Sequence, residues 1–373
     1  MLNKVSQKWL FFVTFVVLGL IQLFSATHHQ LFGDEAFYWL ESLHMDWSYA
    51  ELPGWTQWMI ALSQKLLPQG EFYIRIPGLL AAFSLPFLGM TISKSINPVQ
   101  NHWQSGLLLL TLPLLSLAGI LALPDIWIIF FGLLALLALV QCVQKAAWQW
   151  YMLLGLILAI GINVHVRFWI VTFIAAMVAI GQFRTNPDII KRLLGLSLPV
   201  MLLGFVPILI FNIQHDFPLL SFQLKERHPW SFQPAHFKFF FIQILATTPL
   251  VFFLAFNTAI QFKSFSSLQR LIVSIAMIHW IFYAIIGFYS DDIRLNIHWT
   301  LLSYALLLVV TGSHSNQSWL KKWSIISGCF GAVALLMWLY FSLHYAQPVT
   351  KLNAQFTENA RGWKDLALKS EKL

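Results

Sequence analysis

Two acidic residues stand directly after the first apolar run of the chain, in a pattern that suits chemistry at a membrane surface. They are Asp34 and Glu35, and a third acid, Glu51, follows within the segment 47–53, Trp-Ser-Tyr-Ala-Glu-Leu-Pro. Paired carboxylates can bind a divalent metal or act as a general base, and burial between helices tunes their basicity. The alternative is a solvated loop in which acids cost little free energy.

Arg167 is the cation with the most unusual position, because it lies between two apolar runs. A charge within a membrane segment is costly and usually functional, although a long side chain at a helix end can also snorkel to the interface. Arg75 precedes an apolar run, and we predict that it is an interface anchor.

The elements that position these residues must be membrane helices. Of the 373 residues, 58% are hydrophobic and 10% are charged, whereas soluble domains carry about 25% charged residues. This composition excludes a water-soluble surface. Apolar runs of roughly 18–20 residues recur, the length that a helix needs to cross the hydrocarbon layer. Backbone groups in lipid must bond internally, and the runs do not alternate, so helices are predicted and not a barrel.

The fold class predicted is all-α, a polytopic membrane protein with about eleven transmembrane helices. The predicted spans are 9–25, 77–94, 105–122, 126–143, 148–165, 168–183, 193–212, 238–258, 271–289, 297–312 and 323–345. Closely paired spans meet around 123–125 and around 164–167, which are either hairpins or helix breaks. Cys142 and Cys329 lie in or beside spans, where packing is a better explanation than a disulfide or a metal cluster.

Lysine and arginine concentrate in the loops on one side of these spans. The inner loops contain Lys4, Lys8, Lys94, Lys145, Arg184, Lys191, Arg192, Lys263, Arg270, Lys321 and Lys322, with Asp188 as their one acid. The positive-inside rule then places the N-terminus in the cytoplasm and the remaining acids outside. The first run is predicted to be a retained helix and not a cleaved signal peptide. Membrane orientation explains the net charge of +8, and no nucleic-acid partner is expected.

One transmembrane module, residues 1–345, is predicted, followed by a polar tail at 346–373. Its large outer loops are 26–76 and 213–237. In the first loop, two segments mix aromatic, aliphatic and polar residues as interfacial amphipathic helices do, and they are 36–45 and 55–67. The 17 tryptophans of the chain suit interface belts and also sugar-stacking surfaces.

The first outer loop resembles that of bacterial GT-C glycosyltransferases. The matching residues are 33–40, Gly-Asp-Glu-Ala-Phe-Tyr-Trp-Leu, and 43–49, Leu-His-Met-Asp-Trp-Ser-Tyr. The family is the one named for protein mannosyltransferases, which includes the lipid A aminoarabinose transferases. The resemblance implies a GT-C-like fold, and it puts Asp34 at the position of the family's catalytic or metal-linked carboxylate.

Looser similarity extends through most of the chain. Its segments are 123–125 (Leu-Pro-Asp), 163–168 (Asn-Val-His-Val-Arg-Phe), 211–217 (Phe-Asn-Ile-Gln-His-Asp-Phe), 296–299 (Asn-Ile-His-Trp) and 362–363 (Gly-Trp). The sequence departs from the family at Leu52, where relatives often carry a basic residue or His. It also has His298 and Thr300 where the late Asn-Trp-Pro element has Asn and Pro. The chain ends soon after 362–363, so a C-terminal soluble domain is expected to be missing.

The resemblance implies an inverting glycosyltransferase of the bacterial inner membrane. Its donor would be a polyprenyl-phosphate-linked sugar, and its acceptor at the periplasmic face would be lipid A, another glycan, a protein or a glycolipid. The alternatives are a lipid-linked-sugar flippase or transporter and a non-catalytic assembly subunit. Transporters usually hold their polar residues near the bilayer midplane and often have internal repeats, whereas here the acids gather at one interface and no repeat is visible.

In this interpretation Asp34 is the base that takes the acceptor proton. Glu51 either orients the acceptor or shares a divalent metal with Asp34. A histidine could complete a metal site, although a lone His is more often structural; the candidates are His44, His215 and His298.

Cationic side chains at the outer face would stabilise the phosphate as it leaves. The candidates are Arg167, Arg227, Arg294 and Lys225. The predicted substrate-binding set is Glu35, Tyr49, Asp125, Arg167, His215, Arg227, Arg294 and His298. Asp125 binds either substrate or helix ends, and Asp291 and Asp292 are interpreted as a solvated turn.

Overall fold

The computed structural model describes residues 4–227, 230–289, 296–314 and 318–344. In these ranges the chain is all-α, as the sequence predicts. In the described part of the chain, the regular structure consists of eighteen α-helices, a few short 3-10 and π turns, and one isolated bridge between Ser48 and Pro53. The predicted tail 346–373 lies outside the described residues.

The helices are named here in chain order. The first nine are α1 Lys4–His28, α2 Gly33–Ser42, α3 Trp55–Leu66, α4 Glu71–Ile96, α5 Trp103–Leu110, α6 Pro113–Ala118, α7 Pro124–Lys145, α8 Trp148–Ile162 and α9 Val166–Phe183. The others are α10 Pro187–Arg192, α11 Leu198–Leu202, α12 Val206–Gln214, α13 Pro218–Ser221, α14 Lys238–Thr247, α15 Pro249–Ile260, α16 Ser267–Ile286, α17 Leu301–Gly312 and α18 Ser318–His344.

Most of the predicted spans are found as helices. Among the described residues, 7 helices are long and apolar enough to cross a membrane, and the number rises to 8 if one bent pair forms a single span. That pair, α14 and α15, bends by 106° at Thr248, whose φ of 67° lies in the left-handed region. Two shorter apolar helices, Trp148–Ile162 and Ile297–Gly312, cover two further predicted spans. The chain is therefore a multi-pass membrane protein.

The predicted span 105–122 is the main departure, because it consists of two short helices. α5 ends at Leu110, and α6 begins at Pro113. Proline lacks an N–H and disfavours helical geometry in the residue before it, and Leu112 is accordingly extended. After this break, α6 and a short connection lead to the start of α7 at Pro124.

The centre of the protein is built around α7 and α17. α7 packs on α4 and α8, while α17 packs on α5, α15 and α16. Every residue of α17 is buried. By contrast, α1 and α18 expose large apolar side chains such as Val13 and Phe330, as helices facing lipid do.

The two helices predicted in the first outer loop are α2 and α3. The start of α3 is held by a backbone bond of 2.9 Å from the Trp55 N–H to the carbonyl of Asn163, at the end of α8. The Asn163 side chain donates in turn to the carbonyl of Gly204 at 2.9 Å. A Cβ at Gly204 would lie 2.3 Å from the Ala159 carbonyl oxygen, so this close approach requires glycine. The loop is thereby fixed against the outer ends of the membrane helices.

Candidate active site

One face of α2 carries three residues whose side chains can exchange protons, Asp34, Tyr38 and Glu41. Their i, i+4, i+7 spacing puts them side by side along the helix. Asp34 lies exposed in the first turn, where the helix dipole favours a carboxylate. Tyr38 is buried, and burial raises the pKa of its hydroxyl well above the usual range, with the Asp34 and Asp125 carboxylates raising it further. The Tyr38 hydroxyl is therefore close to both acids.

The second outer loop meets the first beside this helix. A turn is closed by the Tyr49 N–H donating to the Leu52 carbonyl at 3.0 Å. Gln223 donates to the Glu51 carbonyl at 2.6 Å, and Arg227 donates to the Gln223 side chain at 3.1 Å. Glu51 and Arg227 also act electrostatically on Tyr38. The structure thus brings four predicted site residues around Tyr38, namely Asp34, Glu51, Asp125 and Arg227.

Asp125 and Arg167 form an ion pair where two membrane helices begin. Pro124 starts α7 at the position that tolerates proline best, which places Asp125 in the first turn. The Arg167 guanidinium lies 2.9 Å from the Asp125 carboxylate, and the two side chains are 11% and 13% exposed. His298 lies 3.7 Å from the same carboxylate oxygen and is 41% exposed. Three residues that the sequence nominated separately form one cluster, which we call the Asp125 cluster.

His165 lies directly beside the arginine of this cluster. It caps the N-terminus of α9, and its Nδ1 accepts the Arg167 backbone N–H at 3.0 Å. Its Nε2 lies 3.3 Å from the Arg167 Nε. Because a neutral imidazole accepts at one nitrogen only, the backbone bond defines the tautomer, and the second contact is a packing contact. The buried His165 ring therefore holds the backbone of Arg167 at the start of α9 and packs against its side chain.

Two polar residues of α16 complete the inner wall of the Asp125 cluster, and the sequence analysis missed both. His279 and Tyr283 line a cavity of about 10 Å³ with Asp125, Arg167 and His298, which is about the room one water needs. The His279 ring lies 2.7 Å from the Ser303 hydroxyl. The Tyr283 hydroxyl is buried without a hydrogen-bond partner among the described residues. Their i, i+4 spacing within an apolar span was the available signal.

A larger, almost wholly apolar cavity adjoins the cluster at membrane depth. Its volume is about 450 Å³, and helices α7, α8, α9 and α11 contribute to its wall. Phe168 and Trp169, which follow Arg167 directly, line it. Leu302 lines both this cavity and the small polar one. The charged cluster therefore stands at one end of an apolar compartment.

Glu35 is the first correction to the predicted site. Its side chain is 0% exposed and pairs with Arg75 at 2.7 Å, so it cannot reach a substrate in this structure. Arg75, predicted to be an interface anchor, is 1% exposed. The pair has no signature in the sequence, because its members lie on different helices and meet only through tertiary packing.

Other predicted residues lie at the edge of the site or elsewhere. Tyr49 is buried, and its hydroxyl donates to the His44 carbonyl at 3.3 Å. His215 lies 4.0 Å from the Asp46 carboxylate at a second contact between the outer loops. Lys225 is exposed. Arg294, Asp291 and Asp292 fall outside the described residues.

Metal binding by Asp34 and Glu51 stays a prediction. Among the described residues, no three His, Cys, Asp or Glu side chains come together as a metal site. Two carboxylates alone make a weak site for Mg²⁺ or Ca²⁺. The donor set does not fit a dedicated metal, and no step proposed below passes through one.

Glu41 predicts a pH dependence of stability. Burial raises the pKa of its carboxyl from 4.5 to about 7, against the opposing effect of a hydrogen bond from Gln57. The folded protein holds this proton up to about pH 7 while the unfolded chain releases it near 4.5, so the free energy of unfolding falls as pH rises through this window.

Glu41→Gln should therefore melt at a higher temperature than wild type at pH 8 and at nearly the same temperature at pH 5. The new amide would also offer a donor to the Gln57 Oε1, which is buried without a partner in the described chain. Thermal melts of detergent-solubilised protein at both pH values measure this, with the exposed Asp188→Asn as control. Equal melting temperatures for wild type and Glu41→Gln at pH 8 would contradict the prediction.

Comparison with known proteins agrees with this architecture. The family model described as dolichyl-phosphate-mannose-protein mannosyltransferase matches residues 53–211. The lipid A galacturonosyltransferase RgtD of Rhizobium johnstonii is 26% identical over 328 residues, covering 85% of this chain and 62% of the relative. The chain thus spans about three-fifths of that relative's length.

Solved structures show the same fold. ArnT from Cupriavidus metallidurans in the apo state superposes with a TM-score of 0.69 at 17% identity, covering 94% of this chain and 68% of ArnT. ArnT bound to undecaprenyl phosphate gives 0.67 at 18% identity with the same coverage. The oligosaccharyltransferase of Archaeoglobus fulgidus gives 0.54 at 10% identity, covering 94% of this chain and 60% of that chain.

The similarity defines a fold class: the chain has a GT-C-like membrane fold. Its helical arrangement is similar to that of ArnT over 68% of the ArnT chain.

Proposed function

We propose that this chain is a membrane glycosyltransferase that takes a sugar from a polyprenyl-phosphate carrier and attaches it, with inversion, to an acceptor at the membrane surface. The observation that carries the proposal is the junction of the Asp125 cluster with the large apolar cavity through Leu302. The Arg167 guanidinium stands beside the apolar cavity, so an amphiphile would place its long apolar chain in the cavity and its anionic head against the outer side of the cluster. Lipid-linked sugar phosphates have that chemistry.

The similar proteins support this donor class. RgtD is described as a lipid A galacturonosyltransferase, and ArnT has been solved with undecaprenyl phosphate. We propose that this chain also uses a polyprenyl-phosphate-linked sugar as donor and a lipid such as lipid A as acceptor. Another glycan, a protein or a glycolipid is the alternative acceptor.

The proposed reaction is a single displacement. The Asp34 carboxylate takes the proton of an acceptor hydroxyl, whose oxygen attacks the anomeric carbon from the side opposite the carrier. The bond between the anomeric carbon and the phosphate oxygen breaks, and its electron pair leaves on the phosphate. Arg167 and Arg227 stabilise the charge of that phosphate, while Glu51 orients the acceptor.

We propose the bacterial inner membrane as the location, with the N-terminus in the cytoplasm and the site facing the periplasm. The basic inner-loop residues support this orientation. For example, the Arg192 guanidinium donates to the carbonyl of Ala146, and Lys321 donates to that of His314. Ala146 follows the end of α7, and His314 follows the end of α17. The Asp125 cluster lies at the starts of these two helices, so both contacts are at the other end.

A transfer assay tests the proposal. Purified protein in lipid nanodiscs would receive galacturonic acid, aminoarabinose or mannose, each labelled and linked to undecaprenyl phosphate, together with lipid A. We expect label to move from one of these donors to lipid A. If no donor loses its sugar to lipid A or to other membrane acceptors, the enzyme assignment is wrong, and a carrier flippase or an assembly subunit becomes the better account.

The apolar cavity predicts a dependence on the length of the lipid chain. Ala176 lines the cavity, and Ala176→Phe should raise the KM for the long-chain donor about tenfold, because overpacking an apolar site costs about 1–3 kcal/mol. A sugar phosphate carried on a single isoprene unit, whose chain is too short to reach Ala176 from the Arg167 end of α9, should be affected much less.

The matched control for this prediction is the neighbouring Met177→Phe. Met177 is exposed on the same helix and is not part of the cavity wall. The KM values of both variants for both donors test whether the lipid chain of the donor occupies this cavity. An equal effect of Ala176→Phe on the long and the short donor would remove the lipid chain from this cavity.

A further inference from the structure

The buried pair of Glu35 and Arg75 joins parts of the chain that are distant in sequence. The Arg75 Nε donates to Oε1 of Glu35 at 2.8 Å, and its Nη2 donates to Oε2 at 2.7 Å. Both carboxylate oxygens also accept backbone N–H groups, from Ala122 at 2.8 Å and from Phe32 at 2.9 Å. The carboxylate is thus bonded on both oxygens from three separate segments.

The arginine closes the other side of this junction. Its Nη1 donates to the carbonyls of Ala26 and His29 at 2.7 and 2.9 Å, and its Nη2 also donates to that of Gln30 at 2.9 Å. These carbonyls lie at the end of α1, where a helix leaves its last acceptors unpaired. One guanidinium therefore ties α1, the start of α2 and the start of α4 together.

The junction has a direct relation to the candidate catalytic carboxylates. Asp34 precedes Glu35 in the first turn of α2. Ala122, whose N–H binds Glu35, stands three residues before Asp125. A single buried carboxylate therefore holds both the helix that carries Asp34 and the segment that leads into Asp125.

We propose that Glu35 and Arg75 are positioning residues that set the placement of Asp34 relative to Asp125, and hence of the base relative to the phosphate-binding cluster. The proposal rests on the proposed function for its catalytic consequence. Stability alone is a poor reason for such a pair, since replacing a buried ion pair by apolar residues is often neutral or stabilising. Geometry is the stronger reason, because misplacing a reacting group by about 1 Å can cost about 10²-fold in rate.

The first test uses Arg75→Lys, which keeps the charge and loses the planar fork that reaches five acceptors. We expect kcat to fall between about tenfold and 10²-fold, while the KM for the donor stays within about twofold. The control is Gln22→Leu. It removes a different buried hydrogen bond of α1, from the Gln22 side chain to the Ser116 carbonyl at 3.1 Å. This control should lower the melting temperature and leave kcat unchanged. A folded Arg75→Lys protein with wild-type kcat would overturn the proposal.

Hydrogen exchange gives a readout that does not depend on activity. In Arg75→Lys, amides of 33–42 and of 119–125 should exchange faster together, whereas Gln22→Leu should not affect 33–42. If Arg75→Lys does not fold, Glu35→Gln is measured in the same way.

If neither variant folds, native-state hydrogen exchange of the wild-type protein tests the proposal. Segments 33–42 and 119–125 should then open together, because one junction holds both. Separate opening of the two segments overturns the proposal. If wild type transfers no sugar but the segments open together, the positioning geometry stands and the proposed function fails.

Discussion

Asp34→Asn is expected to lower the rate of sugar transfer by about 10³-fold, since general base catalysis contributes about 10²–10⁴-fold. Asparagine has nearly the same size and keeps the exposed position at the start of α2, but it cannot take the acceptor proton. Donor binding should persist, because the cations and the apolar cavity are untouched. Single-turnover transfer at saturating donor measures this rate without interference from product release.

The control for this variant is Asp188→Asn, which removes an exposed acid in the first turn of α10. It should leave transfer unchanged. Equal rates for wild type and Asp34→Asn, at equal amounts of folded protein, would remove Asp34 from catalysis. Glu51 would then be the next candidate base, because it also acts on Tyr38.

Arg167→Gln is expected to lower transfer by about 10²–10³-fold, the range found when a group that stabilises developing charge is removed. It should also weaken binding of undecaprenyl phosphate. Removing one partner of a buried ion pair is destabilising as well, by about 3–5 kcal/mol, because Asp125 would remain charged and only 13% exposed. A loss of activity in this variant alone would therefore be ambiguous.

The double variant Arg167→Gln and Asp125→Asn, compared with Asp125→Asn alone, separates the two effects. It removes both charges, so its melting temperature should recover toward wild type while transfer stays low. Arg192→Gln, in the loops at the other end of the membrane helices, is the matched arginine control and should retain full transfer. Recovery of transfer along with stability in the double variant would assign Arg167 a purely structural role.

The positions of most individual helices could be predicted from the sequence. Apolar runs predicted most membrane helices, and the two helices of the first outer loop begin and end within a few residues of the expected positions. The span 105–122 failed because Pro113 breaks an apolar run that looks continuous by composition. Hydropathy reports burial in lipid, and it is insensitive to a helix that stops and restarts inside the protein.

The site shows where sequence reasoning ends. Asp125, Arg167 and His298 were each nominated, yet their assembly into one cluster depends on how α7, α9 and α17 pack. The misassignment of Glu35 has the same origin, since Arg75 reaches it only through the packing of α4 against α1 and α3. Tyr38 had a local signal in its i+4 spacing from Asp34, and that signal was overlooked.

The most direct test of the account follows both products of one reaction. Proteoliposomes would hold purified protein, a labelled undecaprenyl-phosphate sugar that supports transfer, and lipid A, and mass spectrometry would quantify free undecaprenyl phosphate and glycosylated lipid A. We expect one carrier to be released for each sugar attached, with the anomeric configuration inverted. Intact sugar carrier that crosses the bilayer without being cleaved would contradict it and identify a transporter.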